Sequence, residues 1–388
     1  MSDDFDRAIN RKGTACVKHD GLAAYFGTQD VLPLWVADMD FAAPDVVVQA
    51  LAARAAHPVY GYSFYPESLY AALIDWLAHR HGWTVEREWI VLAPGVVPSL
   101  HAAILAFTQP GDKVIAQPPV YYPFFSAATA TERKLVMNPL RLDAGRYQMD
   151  FDHLQQCAAD GARLLLLCSP HNPVGRVWQV QELREILNIA RRYGLVVVTD
   201  EIHADLVYPE YRHTFLSTLA EQDGRVITAL APSKTFNIPG LGLSCLIVPN
   251  ADDRAAIARV FDSLHLQHCN PFSSVAFEAA YRGGAAWLDS LLLYLRDSRD
   301  YVNTFLREHL PQIKLIQPEG TCLLWLDCRG LNLNDRQLQE FFVYQAKVGM
   351  NPGCVFGENG SGFMRLNIGA PRSVIEQALQ RIARALLV

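Results

Sequence analysis

Between Trp89 and Val248, short apolar runs alternate with stretches in which apolar residues recur at helical spacing. The apolar runs are rich in β-branched and aliphatic side chains, which is typical of strands buried on both faces. Helices between them, such as Val180 to Tyr193 closed by Gly194, favour parallel strands with helices on both faces. The seven predicted strands are residues 89–92, 113–116, 134–137, 163–168, 195–199, 225–230 and 243–248.

The pattern differs on either side of this region. Residues 1–30 show no clear element, and residues 32–41 favour a short strand that turns into a loop. Helices are predicted at 44–56, 66–81, 97–107, 287–310, 336–346 and from Arg372 onward, with further strands at 321–327 and 363–367. We therefore expect three parts: residues 1–45, a segment that joins the small domain; residues 46–285, a large domain; and residues 286–388, a smaller α+β domain.

Composition narrows the class of protein. The 388 residues exceed what one core usually holds, and 51% hydrophobic with 19% charged residues is ordinary for a globular protein. A net charge of −6 gives no footprint for nucleic acid or an anionic membrane, and no apolar run approaches a membrane span. The acidic, polar first residues exclude a secretory signal, and eight cysteines without a Cys-x-x-Cys pair indicate reduced thiols, so we expect a cytoplasmic protein.

Polar residues follow the predicted strands at the edge where open α/β sheets bind ligands. Lys234 comes after strand 225–230 among turn-forming residues. Desolvation there would free an amine nucleophile, although such lysines are often simply solvated. Asp200 ends an apolar strand, where a carboxylate requires a cationic partner such as a protonated pyridine nitrogen, unless it only caps the next turn.

Two further stretches also lie just after the ends of predicted strands. Asn172 lies between two prolines after strand 163–168 and either presents its amide to a ligand oxygen or forms a turn. The Pro94-Gly95-Val96-Val97 turn before a helix offers backbone N–H groups to a phosphate, or is only a tight connection. An amine, an acid, an amide and a phosphate-binding turn are together what pyridoxal phosphate requires. His265, His268 and Cys269 are too weak a cluster to predict a metal site.

The order of these motifs resembles fold-type I pyridoxal-phosphate enzymes of the class I/II aminotransferase superfamily. More narrowly, the chain resembles the MalY/PatB group of cystathionine and cysteine-S-conjugate β-lyases in five stretches: Trp35–Phe41, Tyr60–Tyr62, Ser169–Trp178, Asp200–His203 and Ser233–Gly240. The resemblance implies an α/β fold of type I, with the seven-stranded, mostly parallel sheet in the large domain and a smaller α+β domain.

The resemblance also implies roles for matching residues around the cofactor ring. Lys234 would hold pyridoxal 5'-phosphate as a Schiff base and then take the Cα proton of the substrate. Asp200 would keep the pyridine nitrogen protonated, Asn172 would donate to the phenolic oxygen, and His203 would lie near the same oxygen. Tyr121 would stack on the ring as a catalytic residue, unless it is only a core aromatic.

Other matching residues would hold the phosphate and the substrate. The backbone N–H groups of Val96 and Val97, with Ser233 nearby, would bind the phosphate. Tyr62 would reach the phosphate of a neighbouring subunit, which implies a homodimer with shared sites. Arg365 would clamp the substrate α-carboxylate in a bidentate pair, which a lysine does poorly.

Three residues depart from the group's pattern. Ala231 stands where the family often has a phosphate-binding serine, Pro232 is unusual beside the reactive lysine, and His19 stands where the group tends to have tryptophan. The departures bear on the phosphate site and on part of the substrate pocket.

The resemblance implies α,β-elimination on L-cystathionine or another cysteine S-conjugate, which yields a thiol, pyruvate and ammonia. A class I/II aminotransferase is the alternative, because both reactions begin with removal of the Cα proton. A third hypothesis is a regulatory protein that binds an amino-acid adduct without turnover. The physiological substrate, the pathway and any assembly beyond a dimer stay open.

Overall fold

The computed structural model describes residues 4–220, 224–266 and 268–387. Its helices are α1 (Val17–Asp20), α2 (Leu22–Phe26), α3 (Asp45–Ala56), α4 (Glu67–His81), α5 (Val96–Phe107), α6 (Pro123–Thr129), α7 (Phe151–Ala159), α8 (Val180–Tyr193), α9 (Pro232–Thr235), α10 (Ala251–Ser263), α11 (Pro271–Gly283), α12 (Ala285–His309), α13 (Asp335–Glu340) and α14 (Arg372–Leu386). Short 3₁₀ turns connect several of them.

The strands are β1 (Leu32–Pro33), β2 (Ile90–Ala93), β3 (Lys113–Ala116), β4 (Lys134–Met137), β5 (Arg141–Asp143), β6 (Arg146–Gln148), β7 (Ala162–Cys168), β8 (Val196–Asp200), β9 (Val226–Leu230), β10 (Ser244–Ile247), β11 (Lys314–Ile316), β12 (Leu323–Asp327), β13 (Val348–Gly349), β14 (Asn351–Pro352) and β15 (Phe363–Asn367). All seven strands predicted between residues 89 and 248 are present.

Those seven strands form one sheet in the order β2-β10-β9-β8-β7-β3-β4. The five strands from β9 to β4 are parallel, and β10 is antiparallel to both of its neighbours. The sheet therefore confirms the predicted fold class, a mostly parallel α/β sheet of seven strands.

Side chains of β7 show why its sequence is apolar from Leu164 to Leu167. Leu164 and Leu166 pack with α5, α6 and α10, whereas Leu165 and Leu167 pack with α7 and α8 on the other face. Successive residues of a strand point to opposite faces, so a sheet covered on both faces needs apolar residues at every position. The carboxyl ends of β7, β8 and β9 are left free to carry polar residues.

The C-terminal part builds a second, smaller sheet. Its four strands are antiparallel in the order β11-β12-β15-β14, and α12 packs against both α14 and β11. The N-terminal strand β1 pairs in parallel with β13, with Leu32 opposite Val348. This pairing agrees with an N-terminal segment that joins the small domain. The domain boundaries at residues 45 and 285 stay predictions.

Some local predictions were wrong. Residues 1–30 contain the short helices α1 and α2, which end at Gly21 and Gly27, and Gly27 has a φ of 74° that favours glycine. The short strand predicted at the start of residues 32–41 is present as β1, and the chain continues as a loop after Pro33, as expected. The helix expected at 336–346 is α-helical only to Glu340 and continues as a π-helical turn, Phe341–Gln345. No helix among the described residues is long and apolar enough to cross a membrane.

Candidate active site

A cavity of about 300 Å³ opens at the carboxyl ends of β7, β8 and β9. Eight of the ten residues singled out from the sequence line it: Val96, Val97, Tyr121, Asn172, Asp200, His203, Ser233 and Lys234. They come from five separate segments of the chain, which the parallel sheet brings to one edge. Arg365 does not line the cavity but donates a hydrogen bond to Asn172, which does. Tyr62 lies outside the cavity.

Lys234 lies in the short helix α9, four residues after the end of β9. Its Nζ donates a hydrogen bond to the backbone carbonyl of Ala37. Loss of hydration in the cavity lowers the pKa of this amine below its ordinary value. A larger fraction of Lys234 is therefore neutral and nucleophilic than for a surface lysine.

Asp200 is the last residue of β8, and its side chain is buried. Burial raises the pKa of this carboxyl from 3.8 to about 7, although the backbone N–H of Ile202 donates to Oδ1 at 3.1 Å. Among the described residues, no cationic side chain forms an ion pair with it. A buried carboxylate in this state is stabilised by any cation that enters the cavity.

Asn172 follows β7 in a segment where both Pro170 and Pro173 have cis peptide bonds. Its Oδ1 accepts from Nη1 of Arg365 at 3.0 Å, and its backbone N–H donates to the Cys168 thiol at 3.4 Å. Since the oxygen is committed to Arg365, the side-chain amide presents Nδ2 as its available donor.

The side chains of His203 and Tyr121 line the cavity and are uncharged. Burial lowers the pKa of His203 to about 3, and its buried Nδ1 has no hydrogen-bond partner in the described part of the chain. Burial raises the pKa of Tyr121 to about 12, and its backbone N–H donates to the carbonyl of Asn172 at 3.2 Å. Both side chains therefore stay uncharged at neutral pH.

The first turn of α5 forms one end of the cavity and offers hydrogen-bond donors to an anion. Gly95 precedes the helix, and the Val96 and Val97 N–H groups occupy positions that have no acceptor within a helix. Pro98 comes next and has no N–H to offer. Two backbone donors and the positive helix end thus face the cavity beside Ser233 and Ala231.

Arg365, on β15, is buried with 3% of its surface exposed. Besides Asn172, its guanidinium donates to the carbonyl of Trp35 at 3.0 Å and to Oδ1 of Asn351 at 2.7 Å, while Nε has no partner within residues 4–220, 224–266 and 268–387. Burial lowers its pKa to about 10, so it remains cationic at neutral pH. No carboxylate of the described residues pairs with it.

Three contacts at the site were not foreseen from the sequence. The Ala37 carbonyl is a backbone group, and its only sequence signal was its position within the Trp35–Phe41 stretch. The Cys168 thiol and Asn351 carry no motif of their own. The described residues contain no group of three or more His, Cys, Asp or Glu side chains arranged to hold a metal ion.

Pyridoxal phosphate fits these residues. Asp200 has no cationic partner in the described part of the chain, and the cofactor has a pyridinium nitrogen; Asn172 has a spare donor, and the cofactor has a phenolic oxygen. The first turn of α5 suits its phosphate, and the Lys234 amine suits its aldehyde. The unpartnered Nδ1 of His203 is an orphaned polar atom that a bound ligand would also explain.

Comparisons with known proteins agree with this fit. A family model described as aminotransferase class I and II matches residues 29–382. Cystathionine beta-lyase PatB of Bacillus subtilis (strain 168) is 40% identical over 384 residues, which cover 98% of this chain and 99% of that protein. Protein MalY of Escherichia coli (strain K12) is 34% identical, with 99% and 98% coverage. The crystal structure of cystalysin from Treponema denticola, which contains a pyridoxal 5'-phosphate cofactor, superposes with a TM-score of 0.96 at 37% identity, covering 100% of this chain and 99% of that one.

Proposed function

The chain belongs to the class I and II aminotransferase family, and we propose that it is a pyridoxal-phosphate-dependent carbon–sulfur β-lyase. It acts on L-cystathionine or other cysteine S-conjugates and releases a thiol, pyruvate and ammonia. The observation that carries the proposal is a pair of buried ionisable groups without ionic partners near the Lys234 amine. Among the described residues, no cationic side chain pairs with the Asp200 carboxyl, whose pKa burial raises to about 7, and no carboxylate pairs with the cationic Arg365. A pyridinium ring and an amino-acid carboxylate supply the two missing partners.

When bound, pyridoxal phosphate supplies an electron-accepting ring conjugated to the substrate nitrogen. Arg365 binds the α-carboxylate and so orients the Cα–H bond toward Lys234. The neutral amine of Lys234 takes the Cα proton, and its lowered pKa keeps a supply of that base. Asp200 would keep the ring nitrogen of the bound cofactor protonated, and Tyr121 would provide an apolar wall beside the ring.

The bond between Cβ and sulfur then breaks, and the electron pair leaves with the thiolate, which takes a proton. Water converts the released 2-aminoacrylate to pyruvate and ammonia, so that one water is consumed for each substrate. The lyase reaction requires no 2-oxo acid as a second substrate. An aminotransferase does require one, and this difference separates the two functions.

The proposed function is tested by supplying L-cystathionine or S-methyl-L-cysteine to the cofactor-loaded protein. We expect pyruvate and a free thiol in equal amounts without any added 2-oxo acid. Turnover that appears only after a 2-oxo acid is added would instead make the protein an aminotransferase. Binding of these amino acids without any turnover would favour a regulatory role.

A homodimer with shared sites is supported by an exposed apolar surface. The side chains of Val59, Tyr60, Tyr62 and Phe64 are 58% or more exposed, and Tyr62 is fully exposed. A cluster of this kind on one chain usually marks an interface. We propose that Tyr62 binds the phosphate in the site of the partner subunit.

Mixing two inactive variants tests the shared site. In a dimer of a Lys234→Ala chain with a Tyr62→Ala chain, one site carries both defects and the other carries neither. An equal mixture that exchanges subunits freely should recover about a quarter of the wild-type sites. Activity no higher than that of the two separate variants would show that Tyr62 serves its own chain or none.

A substitution at Ala231, near the proposed phosphate-binding turn, should increase the affinity for pyridoxal phosphate. Ala231 lines the cavity in extended backbone just before α9. In Ala231→Ser, a hydroxyl is added near the first turn of α5, and a hydrogen bond to an anion should tighten cofactor binding roughly tenfold. Fluorescence titration of the apoprotein measures this. An unchanged dissociation constant would mean that the phosphate lies beyond reach of residue 231.

The eight cysteines are all free thiols, five of them buried. Free thiols persist in a reducing compartment, which supports a cytoplasmic location for the enzyme.

A further inference from the structure

Asn351 is the direct cross-strand neighbour of Arg365. The two residues are paired between antiparallel β14 and β15, which puts both side chains on one face of the small sheet. Nη2 of Arg365 donates to Oδ1 of Asn351 at 2.7 Å, and Asn351 is 5% exposed. This is the shortest hydrogen bond that the guanidinium makes.

All acceptors around Arg365 are neutral oxygens. They are the amide oxygens of Asn351 and Asn172 and the carbonyl of Trp35. A buried guanidinium usually pairs with a carboxylate because an unpaired buried charge is costly. Here the polar contacts keep the cation in place while its charge stays uncompensated by any described residue.

Asn351 is itself held in one orientation. Arginine only donates, so Oδ1 must face Arg365, and Nδ2 then donates to Oη of Tyr25 at 3.0 Å. Tyr25 stacks on Trp35 with ring centroids 4.1 Å apart, and the Trp35 carbonyl is another acceptor for Arg365. The contacts form a closed ring through Arg365, Asn351, Tyr25 and Trp35.

We propose that Asn351 is a positioning residue for substrate recognition. It fixes the guanidinium of Arg365 with a neutral oxygen, so that the full positive charge remains for the α-carboxylate of the substrate. The inference rests on the proposed function in one respect, that the substrate is an α-amino acid. An aspartate at this position would keep the shape of the side chain but would satisfy the charge of Arg365 internally.

Asn351→Asp tests this with two ligands that differ by one carboxylate, L-alanine and ethylamine. Their dissociation constants are measured from the visible absorbance of the cofactor-loaded protein. We expect the constant for L-alanine to rise about 100-fold, because the new carboxylate competes for Arg365, and that for ethylamine to change by less than about threefold. With S-methyl-L-cysteine, KM should rise far more than kcat.

Two further variants make the result decisive. Asn351→Ala removes the acceptor without adding charge and should weaken L-alanine roughly tenfold, again sparing ethylamine. Asn334→Asp adds the same charge at the exposed N-cap of α13, where aspartate also caps well, and should change neither ligand. Thermal unfolding of each variant reports whether the fold is retained.

Equal weakening of L-alanine and ethylamine, or unchanged L-alanine binding in Asn351→Asp, would overturn the positioning role. The test needs no cleavage of a carbon–sulfur bond. A protein without lyase turnover that still loses L-alanine selectively would therefore refute the proposed lyase and support the role of Asn351.

Discussion

Lys234→Ala should lower kcat by about 10⁴-fold, because the variant loses the group that we propose takes the Cα proton. The amine is the only lysine side chain that lines the described cavity, and loss of hydration there lowers its pKa, which favours the neutral, basic form. The measurement is pyruvate formation under single-turnover conditions with the cofactor added in excess.

Chemical rescue distinguishes lost chemistry from lost structure. A small primary amine such as methylamine should restore part of the rate in Lys234→Ala, in proportion to its concentration. Lys134→Ala is the matched control, because Lys134 is exposed at the start of β4, and it should keep wild-type activity. A Lys234→Ala variant that retains more than a tenth of the wild-type rate would refute its role as the base.

Asp200→Asn should have opposite effects on activity and on stability. Without the carboxylate, the cofactor ring nitrogen would lose its proposed anionic partner, and kcat should fall by about 10²–10³-fold. In the apoprotein, however, the buried carboxyl has a pKa of about 7 instead of 3.8. The folded state therefore binds the proton more tightly than the unfolded state, and stability falls as pH rises from 4 to 7.

The stability gain of the apo Asp200→Asn variant should depend on pH in the same way. Relative to the wild-type apoprotein it should reach about 4 kcal/mol at pH 8 and shrink to about 2 kcal/mol at pH 5, where most of the cost of ionisation is absent. Urea unfolding of both apoproteins at the two pH values measures the difference. A gain that is the same at pH 5 and pH 8 would mean that Asp200 does not titrate in this range.

Much of this molecule could be predicted from sequence because its large sheet is buried on both faces. Strands β7 and β8 each contain an uninterrupted apolar run, Leu164–Leu167 and Val196–Val198, and a carboxylate at the end of such a strand, such as Asp200, is conspicuous. The predicted site residues at strand ends were brought together by the parallel topology alone.

The remaining features depend on contacts between distant segments. The helices α1 and α2 are too short for a periodic pattern, and α1 is anchored by buried Lys18, whose Nζ donates to Asp40 at 2.8 Å. Asn351 belongs to a strand of two residues, and its partner Arg365 is identified only by the register of β14 and β15. The role of Tyr62 stays a prediction, because it requires a second copy of the chain.

The pairing of β1 with β13 bears on the order in which the protein matures during synthesis. All seven strands of the large sheet have been synthesised once β10 has emerged from the ribosome, before the last third of the chain is made. Ala37 and Arg365, which reach the site from opposite ends of the chain, can meet only after β13 and β15 have formed. In a nascent chain, Lys234 and Asp200 would therefore be made early, and Arg365, the proposed binding residue for the substrate carboxylate, would be made last. Turnover would then be delayed until synthesis is nearly finished.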